Sequence, residues 1–256
     1  MTTQKDFIRD ISTALGRPTP AAVDLFTVAP TKAEQDILKA VRQRSPEERQ
    51  PFIKTLQEVS VPLHLDFHPE RSLEDIRQAI ITLILEKDPE WGTKKSVVRW
   101  DHPLINSLNL EAAAELKDIS LYTTNHVAAA SSADDLQAQR QQTRKEVEAS
   151  FIGITSADYC IAATATLAMK TRPGQARSVS LVPSIHVAVV EESRLLATLE
   201  ELYTLLKWDE AEQDEGLTNN LSLISGPSKT GDIELVMVHG AHGPRELHLF
   251  LVSDDS

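Results

Sequence analysis

The chain has 256 residues, 41% of them apolar and 25% charged, which is ordinary globular usage and enough for one large domain or one domain with an extension. Its formal net charge of −12 opposes non-specific nucleic-acid binding, and its single cysteine, Cys160, excludes an intrachain disulfide and a cluster held by four thiolates of this chain. No apolar run reaches the roughly 18 residues of a bilayer span, and the charged, amphipathic N-terminus is unlike a secretory signal, so the expected compartment is the cytoplasm.

Helical spacing dominates the first third. Residues 3–15 place Phe7, Ile8, Ile11, Ala14 and Leu15 on one face, and Gly16 and Pro18 stop the run. Thr31-x-x-Glu34 predicts a capping box before a second helix. Ser45-Pro46-Glu47-Glu48 is a stronger start, with Ser45 as cap and Pro46 at the first helical position, and it opens a third helix to about Val59. Residues 1–60 therefore read as a helical extension, and residues 61–256 as the main domain.

From about residue 70 strands and helices alternate. A helix opens at Ser72, a strand follows at 96–100, a helix at 110–117 and a strand at 119–124. A long polar helix runs over 132–149, a strand over 151–155 and a short helix over 156–163. Strands at 166–171, 178–182 and 186–190 precede an amphipathic helix over 192–207, and 221–225 and 247–252 read as the last strands. This alternation predicts an α/β domain with a largely parallel sheet covered on both faces. The nine acids of residues 191–215 stand against two bases, Arg194 and Lys207. They read as a solvated helix face and an acidic surface loop, with a basic partner surface as the alternative.

The stretch SGPSKTGDIELVMVHGAHGP, residues 225–244, holds four of the nine glycines. Gly226-x4-Gly231 is half of a phosphate-binding loop, but Asp232-Ile233 replaces the Lys-Ser/Thr that such a loop needs, and Asp232 repels a triphosphate. Following strand 221–225, the loop is expected beyond a carboxyl strand end, where α/β sheets bind ligands. Ser225, Gly226, Ser228, Thr230 and Asp232 are its candidate ligand-binding residues, with a helix N-terminus near 230–233 as an anion attractor. The alternative is a tight turn capped by Ser228 or Thr230. His239 and His242 are candidate proton carriers; Gly240, Gly243 and Pro244 argue for a loop rather than the helix of a metal-binding HxxH pair, so no metal is expected. Arg245 is the nearby guanidinium suited to a carboxylate or phosphate. Thr164 and Thr166 offer hydroxyls to the same crevice, against a reading as close packing, and His186 is either a satisfied edge histidine or a further ligand contact. Cys160, flanked by apolar residues, reads as a buried small hydrophobe.

The segments GITSADYCIAATATLAMKT, RSVSLVPSIHVAVVEE and LISGPSKTGDIELVMVHGAHGPRELHLFLV resemble the successive signature blocks of the LUD domain family, of the lactate utilization protein C type. The resemblance covers about 150–253 and extends back to about 60. It implies a three-layer α/β fold similar to the ribose-phosphate isomerase and CoA-transferase superfold. It further implies a part in oxidising L-lactate to pyruvate beside iron–sulfur partner subunits, with no cofactor held by this chain. The fold analogy also implies an alternative, an enzyme acting on a small carboxylate or phosphate with Glu234 as nucleophile. Where the family usually has Thr-Gly-Thr, this chain has Thr164-Ala165-Thr166.

Overall fold

The computed structural model describes residues 4–16, 29–90, 92–124, 133–216, 220–231, 237–239 and 242–253. The chain divides into two compact units, Met1–Asp36 and Ile37–Ser256. The first carries α1 (Gln4–Ala14) and the start of α2 (Lys32–Arg42). The predicted box at its start is present: Glu34 N donates to Thr31 Oγ1 at 3.2 Å, and Thr31 N donates to Glu34 Oε2 at 2.7 Å.

In the second unit α3 (Pro46–Leu63) begins as its sequence dictates, with Ser45 and Glu48 exchanging cap hydrogen bonds and Pro46 in the first turn. It runs past the predicted end and closes on His64, which adopts the left-handed conformation at φ 55°. Ile53 and Leu56 of this helix are buried in the same core cluster as Val98, Ala188 and Leu249.

The central sheet has six parallel strands in the order β1 (Asp66–Arg71), β12 (Glu246–Val252), β7 (Ile185–Glu191), β4 (Ile152–Ser156), β2 (Ser96–Trp100) and β3 (Ser120–Thr124). Its middle strands are apolar on both faces, as a sheet covered on both sides requires. One face packs on α4 (Leu73–Glu86), α5 (Pro103–Ser107) and two 3-10 turns, through Ile80, Ile105, Leu110, Val187 and Phe250. The other meets α3, α6 (Ala133–Ala149) and a second sheet. That sheet has the order β8 (Leu195–Leu196), β5 (Tyr159–Ile161), β6 (Thr166–Lys170), β9 (Leu221–Ile224), and α7 (Leu199–Trp208) covers its outer side. The three-layer α/β architecture is thus as the sequence implied, with an extra sheet inside one layer.

Several local expectations fail. Residues 156–163 hold strand β5 rather than a helix, because Tyr159, Cys160 and Ile161 pair with Ala168, Leu167 and Thr166. Residues 178–182 contain a 3-10 turn over Arg177–Ser180, tied by Ser180 Oγ donating to the Arg177 carbonyl. The helix read over 192–207 breaks into a 3-10 turn, β8 and α7, because Thr198 caps α7 by accepting from Glu201 N. The helix at 110–117 is two 3-10 turns.

The acidic run is not simply a solvated face. Glu212 of α8 (Glu210–Glu215) pairs with Lys170, as does Glu215 at 2.6 Å, and the Lys170 side chain is only 4% exposed. Glu215 also takes Arg172, and that guanidinium and the Lys170 ammonium hold its carboxyl at about 2. Glu201 pairs with Arg44 at 2.6 Å, and Glu192 is 1% exposed. No helix among the described residues is long and apolar enough to cross a membrane.

Candidate functional site

A cavity of about 310 Å³ opens between the loop after β9 and the loop before β12, and His186 forms part of its wall. Strand β9 ends at Ile224, just before Ser225, but β9 belongs to the second sheet, antiparallel to β6. Relative to the parallel sheet the cavity sits at the amino ends of β7 and β12, beside His186 and Leu247. The expected position beyond the carboxyl ends of that sheet is therefore wrong: the loop is delivered by the other sheet.

One close approach and three hydrogen bonds position the loop 225–229. Gly226 has φ 88°, a left-handed conformation that favours glycine, and a Cβ there would stand 3.1 Å from the Leu63 carbonyl oxygen. Lys229 Nζ donates to that same oxygen at 2.6 Å, satisfying a carbonyl that the end of α3 leaves without a helical partner. Ser228 N donates to the Pro244 carbonyl at 2.8 Å, and His242 N donates to Ser228 Oγ at 3.4 Å. The two loops therefore face each other as the sequence suggested. Their link starts and ends as a hairpin, with β10 (Lys229–Gly231) antiparallel to β11 (Met237–His239). Thr230 and Gly231 lie in β10, so no helix opens at these described residues, and His239 is placed opposite Lys229. Asp232 and Glu234 lie outside the described residues.

Neither Thr164 nor Thr166 is among the described lining residues of the cavity; they reach its loop through hydroxyl hydrogen bonds. Thr166 Oγ1 is 2.6 Å from Ser225 Oγ and 2.7 Å from Thr164 Oγ1, a hydroxyl chain running from the end of β9 to the start of β6. Between them Ala165 is fully buried at φ 44°. It holds a left-handed turn that glycine adopts without strain, so alanine is accommodated there at some backbone cost. Arg245 is not part of this cavity: it pairs with Glu90 at 3.2 Å, and its backbone N donates to the Ser184 carbonyl. Lys229 is the one Lys or Arg among the cavity's described lining residues.

His186 is no edge residue. It lies on β7, flanked by β12 and β4, and is 1% exposed. Its Nε2 is 2.8 Å from Thr155 Oγ1, while its Nδ1 has no hydrogen-bond partner among the described residues. The tautomer that lets the buried Thr155 hydroxyl donate to Nε2 puts the ring hydrogen on Nδ1, leaving a buried donor in want of an acceptor. Burial first, and then the neighbouring His248, lower its pKa to about 3, so the ring is neutral. An unfolded histidine titrates near 6.5, so the stability that His186 contributes by staying neutral is full above that pH and drains as pH falls towards about 3. Equilibrium unfolding between pH 7 and 5 is expected to show this loss, and a His186→Gln variant to flatten it. An unchanged slope in that variant assigns the acid limb to other groups. Cys160 is buried, and burial pushes its thiol up to about 12, which suits a small apolar residue and not a nucleophile.

Sequence reasoning missed the role of Leu63, whose carbonyl accepts from Lys229 and leaves little room for a side chain at Gly226; nothing local to residues 225–229 signals it. It also missed the ion-pair network around Lys170, whose signal was a Lys-x-Arg pair at the end of a strand facing an acidic run.

The LUD domain family model matches residues 62–252. Lactate utilization protein C of Halalkalibacterium halodurans is 26% identical over 203 residues, 79% of this chain and 80% of that one. The protein of the same description from Shouchella clausii is 24% identical over 97% of this chain and 96% of its own length. A lactate utilization protein B of Shouchella clausii matches at 31% identity over 45% of this chain and 23% of its own.

Proposed function

The chain belongs to the LUD domain family, and on that footing we propose that it is a subunit of a lactate-utilization system that holds a small monocarboxylate in the cavity beside His186. The observation that carries the ligand is His186, a buried ring whose Nδ1 has no partner among the described residues and which forms part of the wall of a cavity that also offers Lys229 and the hydroxyls of Ser225 and Ser228. Buried polar atoms are almost always paired, so an orphan beside a cavity points to a missing partner. A carboxylate fits because it is acceptor-only, and the ammonium of Lys229 balances its charge. A nucleoside triphosphate does not fit a site with one cation among its described lining residues. Relatives described as proteins B and C, one of each in Shouchella clausii, support a multi-subunit system. We place iron–sulfur chemistry on the partners, because one buried cysteine cannot hold a cluster.

Isothermal titration of the full chain with L-lactate, pyruvate, inorganic phosphate and coenzyme A tests the ligand. Millimolar or tighter binding of lactate or pyruvate is expected, weakened about tenfold or more by Lys229→Met, the scale of a charge-assisted hydrogen bond. Absence of heat from both carboxylates, or binding indifferent to Lys229→Met, contradicts this reading. Co-purification with protein B-type subunits tests the assembly separately.

A further inference from the structure

Strands β1 and β12, paired at the sheet edge, carry a second constellation on the sheet face opposite His186. Asp66-x-His68 and Glu246-x-His248 each place two side chains on one face by strand alternation, and the register sets Asp66 directly across from His248. His248 Nδ1 lies 3.6 Å from Asp66 Oδ2 and 3.4 Å from His68 Nε2. Donor atoms of Asp66, Glu246 and His248 all lie within 4.8 Å of one another. We propose that Asp66, His68 and His248 form a binding site for a divalent transition-metal ion of the zinc, cobalt or nickel class, with Glu246 orienting His248.

The two separations from His248 suit such an ion. Bonds of about 2.0–2.2 Å at tetrahedral angles set ligand atoms roughly 3.3 Å apart, close to both His248 separations. An imidazole ligates through one nitrogen while the other commonly donates to a carboxylate, which fixes the tautomer. Here Glu246 Oε2 is 3.2 Å from His248 Nε2, and Lys87 Nζ holds that same oxygen at 2.5 Å. Glu246 is thereby occupied behind the ring, and the Nδ1 lone pair is left for the ion. The His68 ring is fixed by stacking on Phe250, with centroids 4.1 Å apart and planes 5° from parallel. As the rings stand, the two imidazoles share a hydrogen bond, and an ion replaces its proton after a small rotation. The Asp66 side chain is 59% exposed and able to turn inward. A cavity of about 530 Å³, lined by Asp66, His68, His248, Gln57 and Ser60, opens beside these residues and leaves room for a water or a ligand at the remaining position. Two imidazole nitrogens favour zinc-type ions over magnesium or calcium, which prefer oxygen throughout.

The test is titration of the chelator-treated full chain with Co²⁺ and Zn²⁺, followed by calorimetry and by the d–d absorption of bound cobalt. One equivalent is expected, with a four- or five-coordinate cobalt spectrum. His68→Ala and Asp66→Asn, both on the edge strand, are expected to lower affinity at least tenfold, and Glu246→Gln by about tenfold, the scale of an orienting partner. Circular dichroism of each variant guards against unfolding. The proposal is overturned if the chain binds neither ion, if both His68→Ala and Asp66→Asn bind as the parent does, if magnesium competes equally, or if the site is lost in His242→Ala instead.

Discussion

Replacing Lys170 by Met is expected to destabilise the chain by about 3–5 kcal/mol, the cost of breaking a buried ion pair from one side. The Lys170 side chain is 4% exposed and serves two carboxylates, Glu212 and Glu215, whose side chains are 11% and 32% exposed. Without it Glu212 keeps the Tyr159 hydroxyl, which donates at 2.8 Å, and Glu215 keeps Arg172. Neither contact replaces the lost charge next to the buried end of β6. A Met side chain restores the volume but none of the hydrogen bonds, so the loss reads as electrostatic. Denaturant unfolding checks it through the midpoint at unchanged slope. A triple change of Lys170, Glu212 and Glu215 to apolar residues should recover much of the loss, because the desolvation penalty leaves with the charges. A loss below about 1 kcal/mol for Lys170→Met would show the network to be solvated like a surface pair.

Gly153→Ala is expected to be comparably severe, roughly 3 kcal/mol or more, at the upper end of overpacking in a close-packed core. A Cβ at Gly153 would lie 1.9 Å from the Val179 carbonyl oxygen and 3.1 Å from Pro183 Cγ. The first obstacle is backbone, in the 3-10 turn Arg177–Ser180, which lies directly over β4. Relief requires that turn to lift, and the residues after it lead to His186, which pairs in register with Gly153. The variant should therefore lose thermal stability and weaken binding in the cavity beside His186 together. A soluble variant with parental melting temperature would contradict the close approach.

The contrast between strands shows what the sequence could and could not convey. Runs such as 96–100, 151–155, 186–190 and 247–252 are legible because a strand buried on both faces must be apolar throughout, and few other elements tolerate that composition. Strand β1 was invisible for the converse reason. It reads Asp-Phe-His-Pro-Glu-Arg, polar and interrupted by Pro69, which an edge strand tolerates. Strand β5 was hidden because its three residues lie in a run of small side chains that suits a helix equally well. Helix starts at Thr31 and Ser45 were plain, since a cap is a local exchange between residues three apart. The candidate site was half legible. Glycines and hydroxyls marked the loops 225–229 and 242–244, and the family resemblance joined them to Thr164 and Thr166. The dependence on Leu63, the diversion of Arg245 to Glu90 and the orphan nitrogen of His186 arise from residues far apart in the chain, which no local pattern encodes.

The pairing of β1 with β12 also bears on how the molecule is made. His68 and His248 are separated by 180 positions, and among the described strands β12 is the only neighbour of β1. During synthesis the ribosome releases Asp66 long before its partner strand exists, so β1 and the open flank of β7 wait with unsatisfied ladder groups until β12 emerges. Sheets closed by such distant pairings fold slowly and pass through states with exposed edges. Nascent chains halted before residue 246 are thus the species most in need of chaperones, and the polar, proline-bearing sequence of β1 is suited to that wait because it resists pairing with the wrong edge.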